Sequence, residues 1–417
     1  MLSEMIDKMD KSIVIFYFSC IPYNRLYQRP QQLFHEWRSN FADSYEFYYV
    51  DFPTFSGFIA NSVQMLQRST NEKLSYETST NDSHILSGFI YPPRGVGRYR
   101  LPQWAVENSL SFRICNAFVR KTLEKCCNST QKRVAIVASP FWEPFVSLDE
   151  FDLVCYDYLD DIEVSARLFS YNAWKKQHER LVAKSDVVFV TAEKLGQGIL
   201  SIANDKAVVL VSNGTDAGFF ENNKKSHQIL DYVKRDKKTV GYVGALSSWV
   251  DIDLVYGTAE ELPEVSFILV GPFDPWTKPY IKNKPNNVFA LGAKEYAHIP
   301  SYLNIFDVCI IPFKPGPISD ATDPVKLYEY FSLGKPVVAT PLKALVRYDD
   351  GHLLKTARTA QEFADATRFF LTHDTPEWQA LRRQIARQHS WLSKATTIIR
   401  SIESKLSEKP CTERETE

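Results

Sequence analysis

Short apolar, β-branched runs recur along the chain with room for a helix between them. In the first half they are SIVIFYF at 12 to 18, YEFYYV at 45 to 50, RVAIVAS at 133 to 139, LVCY at 153 to 156, DVVFVT at 186 to 191 and AVVLVS at 207 to 212. Between several of them lie helical patterns, RPQQLFHEWRS at 29 to 39 and YNAWKKQHERLVAKS at 171 to 185, the latter with Trp174, Leu181 and Val182 at helical intervals. Strand alternating with helix predicts a parallel sheet covered on both faces.

A second series, TVGYVG, VSFILVG, NVFALG, DVCIIPF and KPVVAT, follows the polar stretches ENNKKSHQ and DYVKRDKK, with DIDLVYGTAEEL and SYLNIF as helical patterns between. The chain therefore reads as two doubly wound α/β lobes joined near 220 to 237, expected as 1–220 and 221–385. PEWQALRRQIARQHSWLSKATTIIRSIESKL reads as a helix, a break around Ser390 and a second helix, so 386–417 is expected to be a C-terminal crossover helix and tail.

Composition narrows the function. The 417 residues are 44% hydrophobic and 24% charged, as a globular chain is. Lys plus Arg (49) nearly cancels Asp plus Glu (50), which argues against a dedicated nucleic-acid coat. Seven cysteines form no C-x-x-C pair and read as reduced thiols of a cytosolic chain. The run SIVIFYF is too brief for a signal peptide or a membrane span, so export and integral insertion are disfavoured. The histidines show no H-E-x-x-H and no Cys/His cluster, so zinc is not indicated.

In open α/β sheets ligands bind outside the carboxyl ends of the strands, and two such lobes with a linker are expected to face a cleft. The most specific turn is SDATDPVKLYEYFSLGKPVVAT, 319 to 340. Asp323 suits an N-cap, Pro324 the first helical position, and Gly334 with Pro336 the stop. The free N–H groups and dipole of such a helix start attract anions, Lys326 can add a point charge on a phosphate, and Glu329 one turn on can accept both hydroxyls of a ribose. A sugar nucleotide offers that succession. An ordinary capped amphipathic helix has the same pattern, and an N-cap Asp323 would compete with phosphate for the same donors.

A second candidate is YDYLDD, 156 to 161, directly after LVCY. Among Asp157, Asp160 and Asp161 one can serve as general base toward an acceptor hydroxyl, with Asp160 preferred; helix capping and an Asp-x-Asp metal site are the alternatives. Asp251 and Asp253 spell the same triplet where a helix should start, and hard cations need oxygens from several segments, so no metal is expected. Tyr23, Asn24, Arg25, Gln28 and Arg29 follow the first strand and could meet an acceptor, or form a surface loop and helix start with Pro30. From 91 to 133 nine basic residues face two acidic ones, with Tyr99 and Trp104 among them, which suits peripheral contact with an anionic membrane or a lipid diphosphate. RGVGR at 94 to 98 holds only half of a dinucleotide fingerprint.

These residues carry a family resemblance. VGYVGALSSWVDIDLV, FILVGP, NVFALGAKEYAHIPSYLNIFDVCIIPF and TDPVKLYEYFSLGKPVVATPL together resemble the donor half of GT-B glycosyltransferases that use nucleotide-activated sugars, in particular bacterial cell-surface polysaccharide transferases of the teichuronic-acid type. NRLYQRPQQLFHEW, VCYDYLDDIEV and the interdomain-like VSNGTDAGFF extend the resemblance over roughly 12 to 342. It implies an α/β GT-B fold: two Rossmann-like doubly wound lobes facing a cleft, with C-terminal helices packing back on the first. It also implies a hexosyltransferase that moves a sugar from a nucleoside-diphosphate donor, UDP-linked above all, to a glycan or lipid-linked acceptor without cofactor. Carried over, Glu329 holds the ribose, Lys326 with Thr322 the diphosphate, and Gly244 approaches the phosphates. Asp323 faces the transferred sugar, and Val325 stands with them at the helix start. Tyr23, Arg25 and Arg29 belong to the acceptor side. Many relatives have Arg and Lys where Ala245 and Val250 stand, and a second Glu where Ala321 and Thr322 stand. A GT-B sugar-nucleotide epimerase, which would bind the donor similarly without an acceptor site, is a second reading, and loss of the Arg/Lys pair keeps open a third, an inactive module that scaffolds a polysaccharide assembly complex.

Overall fold

Strand β1 (Ile13–Phe18) is apolar throughout and pairs in parallel with β2 (Tyr45–Val50) on one side and β4 (Lys132–Val137) on the other. A strand flanked on both sides and covered on both faces has no solvent face, and from Val14 to Phe18 none is more than 1% exposed. The computed structural model describes residues 11–23, 28–52, 84–86, 120–121, 124–162, 171–223, 237–275 and 277–409. They fall into two units, Met1–Val211 with Lys394–Glu417, and Ser212–Ser393.

In the first unit β3 (Ile85–Leu86), β5 (Leu153–Tyr158), β6 (Val187–Val190) and β7 (Ala207–Leu210) complete a sheet in the order β3-β2-β1-β4-β5-β6-β7, every pair parallel. Helix α1 (Arg29–Asn40) starts on Gln28 with a reciprocal capping box to Gln31 and Pro30 in its first turn, and α2 (Tyr171–Lys184) buries Trp174, Leu181 and Val182 as their spacing predicts. Helix α3 (Glu193–Ile202) lies between β6 and β7.

The second unit opens with α4 (Ala217–Asn222), β8 (Thr239–Val243), α5 (Ile252–Glu261), β9 (Ser266–Val270) and β10 (Val288–Gly292). It continues with α6 (Ile299–Asn304), β11 (Val308–Ile311), α7 (Val325–Ser332), β12 (Val337–Ala339), β13 (Leu354–Thr356), α8 (Ala360–His373) and α9 (Pro376–Gln388). Its parallel sheet runs β10-β9-β8-β11-β12-β13. Strand β13 was not expected: LKT is short and half polar, and it exists because β12 offers it an edge. In both sheets the order reverses beside the first strand of the unit, which opens a crevice outside the carboxyl ends of β1 and β4, and of β8 and β11.

The last helix, α10 (Trp391–Glu408), belongs to the first unit from Lys394 onward. The Trp37 indole donates to the Ala395 carbonyl at 3.2 Å, Tyr45 OH donates to Glu403, and Lys409 pairs with Asp186 at 2.7 Å. Packing back on the first lobe thus holds for α10 alone. Helix α9 packs on α7, where buried Arg382 donates to the carbonyls of Gly334 (3.0 Å) and Leu353 (3.1 Å). Among the described residues no helix is long and apolar enough to cross a membrane.

Candidate functional site

Helix α7 follows β11 and so stands at the reversal point of the second sheet. Its end is the expected one: the chain turns at Gly334, whose φ of +71° favours glycine, and the Gly334 N–H bonds to Phe331 O at 2.9 Å. Its start is not. Pro324, extended, occupies the N-cap, no side chain caps the helix, and Val325 is the first helical residue. Asp323 lies one residue too early, because its buried carboxylate takes the Asn213 N–H at 2.7 Å and the Tyr328 hydroxyl at 3.0 Å. The Asn213 amide donates in turn to the Asp323 carbonyl at 2.8 Å. Asp323, expected to cap the helix and face a sugar, is instead only 3% exposed and holds the loop. The competition between an N-cap carboxylate and an anion therefore does not arise.

Lys326, in the first turn of α7, reaches over the end of β8. A Cβ built on Gly244 would stand 2.3 Å from Lys326 Cε and 2.6 Å from Nζ, and the Gly244 φ of +142° is one that side chains rarely adopt. The ammonium lies 5.6 Å from the ring centroids of both Tyr242 and Phe313, a cation held over two aromatic faces. Burial lowers the Lys326 pKa, with the charge of Glu329 opposing. Glu329 is half-buried one turn further on; burial raises its pKa, while the Lys326 charge and a hydrogen bond from Tyr296 lower it. Thr322 and Val325 are half-buried in the same stretch, and the Thr322 N–H is spent on Ser319 O at 3.1 Å. Tyr330 fixes α7 to β8 by accepting the Val243 N–H at 3.0 Å. Gly244, Lys326 and Glu329 are thus brought together at the reversal point. Ala245 and Val250, where many relatives are expected to carry Arg and Lys, follow Gly244 in the loop after β8, Val250 buried and bridged to Phe313.

In the first unit two of the expected site residues pair with each other. Arg29 Nη2 donates to Asp157 Oδ1 at 2.9 Å and Nε to Oδ2 at 3.2 Å, while Tyr17 OH adds 2.9 Å to Oδ2 and Arg29 Nη1 donates to Val211 O at 2.9 Å. Both are buried, 4% and 0% exposed. Arg29, expected to meet an acceptor, and Asp157, an alternate to Asp160, are instead a structural ion pair: β5 runs on through Tyr158, so Asp157 is a strand residue and not part of the turn. Asp160 and Asp161 do lie in the turn after β5. Asp160 is exposed, yet the protein around it desolvates its carboxyl and, with the charge of Asp161, pushes its pKa up against the pull of Arg29. Tyr23 is half-buried and its N–H donates to Asp51 at 2.8 Å. Arg25, Asn24 and most of the basic stretch 91–133, RGVGR included, lie outside the described residues.

Two residues escaped the sequence reading. Asp51 directly follows β2, at the same carboxyl edge, and burial raises its pKa to about 6 against the N–H bonds from Tyr23 and Phe52. The rule that singled out YDYLDD would have found it. Tyr296, which helps hold the Glu329 pKa down, had no local signal. Asp251 and Asp253 are each engaged, Asp251 as the N-cap of α5 on Leu254 N–H at 3.0 Å and Asp253 by the Tyr280 hydroxyl at 3.0 Å.

Residues 237–373, within the second unit, match the family described as Glycosyl transferases group 1, and the chain has the two-lobed GT-B glycosyltransferase fold. Over 260 residues the chain is 25% identical to the teichuronic acid biosynthesis glycosyltransferase TuaH of Bacillus subtilis, a match covering 59% of this chain and 65% of the relative. Among solved structures, Anabaena HepE in complex with UDP and glucose is 14% identical with a TM-score of 0.63, covering 94% of this chain and all of the other. Sucrose-phosphate synthase of Thermosynechococcus elongatus is 14% identical with a TM-score of 0.65 over 95% of this chain and all of the other.

Proposed function

We propose that the chain is a glycosyltransferase that takes a nucleoside-diphosphate sugar at the carboxyl edge of the second sheet and passes the sugar to a glycan or lipid-linked acceptor. The observation that carries this is the meeting of Lys326, Gly244 and Glu329 at the β8/β11 reversal point. The uncapped start of α7 presents N–H groups to an anion, and the Lys326 ammonium, resting on two rings, has no hydrogen-bonded carboxylate among the described residues to displace. Gly244 lets a phosphate approach the backbone, and Glu329 stands one turn away, where a ribose attached to that phosphate would lie. UDP is the nucleotide favoured, because UDP is named in the complex of the similar Anabaena protein.

As the bond from sugar to diphosphate breaks, negative charge grows on the leaving oxygens. The α7 N-terminus and Lys326 are placed to stabilise it, and we infer that transfer needs no divalent ion, Asp251 and Asp253 being occupied with α5 and Tyr280. Asp160 is the carboxylate proposed to orient or deprotonate the acceptor. A role in surface polysaccharide synthesis follows the relative TuaH; placement in the cytoplasm, against an anionic membrane through 91–133, rests on sequence.

Calorimetric titration with UDP, GDP and CDP tests the donor site. Glu329→Ala should weaken the nucleotide that binds by about ten- to a hundredfold, the loss of a charge-assisted hydrogen bond. Unchanged affinity would reject the assignment. Sugar transfer from the matching nucleotide sugar should survive EDTA.

A further inference from the structure

Lys326 and Glu329 are neighbours along α7 at a spacing where a lysine and a glutamate ordinarily pair. Paired, each would consume what the other offers a nucleotide. Among the described residues, however, the Lys326 ammonium lies within salt-bridge distance of no carboxylate; it sits 5.6 Å from the ring centroid of Tyr242 and 5.6 Å from that of Phe313. A ring face attracts a cation yet carries no net charge, so a phosphate arriving at Nζ has no anion to drive off.

Both rings are held in place by the fold. Tyr242 belongs to β8 and is fully buried, and its hydroxyl donates to Ala245 O at 3.0 Å, so its polar end is spent on the turn after the strand and the ring is left to the lysine. The same hydroxyl would stand 3.2 Å from a Cβ built on Gly244, which places the tyrosine and the lysine tip around one bare glycine. Phe313 follows β11 and is 5% exposed; its carbonyl accepts the Thr340 hydroxyl at 2.6 Å, and its backbone bridges to Val250. The two strands that border the crevice thus supply one ring each. We propose that Tyr242 and Phe313 are positioning residues for the diphosphate, their faces seating the Lys326 ammonium beside Gly244 and leaving it open to a phosphate. The proposal rests on the donor-site reading above.

The test is a pair of double-mutant cycles on nucleotide affinity, using whichever of UDP, GDP and CDP the wild type binds most tightly. Tyr242→Phe keeps the ring and should stay within about threefold of wild type. Tyr242→Leu and Phe313→Leu each remove one face and should weaken binding about three- to thirtyfold. In a Lys326→Ala protein, itself weaker for the nucleotide, neither leucine should cost anything further, because the rings act only through the lysine. A ring that merely supports the fold would cost the same with or without the lysine. Melting curves check folding, and should one leucine variant not fold, the other cycle decides. If Tyr242→Phe loses as much as Tyr242→Leu, or the leucine losses persist undiminished in Lys326→Ala, the proposal is overturned and the donor site stands. If Lys326→Ala binds as the wild type does, or no nucleotide binds, the donor-site reading fails and takes the proposal with it.

Discussion

Arg29 and Asp157 stand 128 residues apart in the chain and meet through two parallel hydrogen bonds of 2.9 and 3.2 Å inside the first unit. Each closes off what the other offers, so neither is available to a substrate. Arg29→Leu would leave the Asp157 carboxylate buried with Tyr17 as its one side-chain donor among the described residues, and should cost about 3 to 5 kcal/mol in urea unfolding. The double variant Arg29→Leu with Asp157→Leu should cost clearly less than the single one, because no charge is left stranded. Equal losses would mean the pair is not coupled as its geometry indicates.

Gly244→Ala adds a methyl where Lys326 Nζ now lies, at 2.6 Å, on a backbone with φ of +142°. The lysine end is flexible and can move aside, so the fold should lose only the backbone strain, about 1 to 3 kcal/mol. The nucleotide loses its cation. Affinity for the diphosphate should drop tenfold or more, whereas affinity for the free nucleoside should change little, and calorimetry with both separates the two effects.

Asp160→Asn should lower sugar transfer by about 10² to 10⁴ and leave nucleotide affinity unchanged. The upward shift of Asp160 should move the acidic limb of the wild-type rate profile to higher pH than an unshifted aspartate would give, and that limb should vanish in the variant. Full turnover in the Asn protein would show that the acceptor is activated elsewhere, with Asp161 and Asp51 the next residues to replace.

Asp51 gives a stability test. Its pKa is about 6 in the folded protein against 3.8 for an ordinary aspartate, so between those values the folded state holds a proton the unfolded chain has released. Stability must therefore fall as pH rises through that window. Asp51→Asn cannot titrate, so its stability relative to wild type should rise between pH 4 and pH 7. An unchanged difference across that range would contradict the shift.

The alternation of apolar strands with amphipathic helices was enough to place two doubly wound sheets, because a parallel strand buried on both faces has to be continuously apolar and that is a local property of the sequence. The helix over 325 to 332 and its stop at Gly334 were local as well. So were Lys326 and Glu329 as neighbours along it, since their spacing alone sets them one turn apart. What sequence could not settle is which polar groups consume one another. Asp323 looked like a cap until Asn213 claimed its carboxylate from 110 positions away, and Arg29 looked like an acceptor contact until Asp157 did the same. Tyr296, stacked on the ring of Phe219, bears on Glu329 only because the fold brings separate elements together. Hydrogen bonds and ion pairs are satisfied in space, so the availability of a charged side chain for chemistry is decided by the tertiary structure, where burial makes an unpartnered charge too costly to leave.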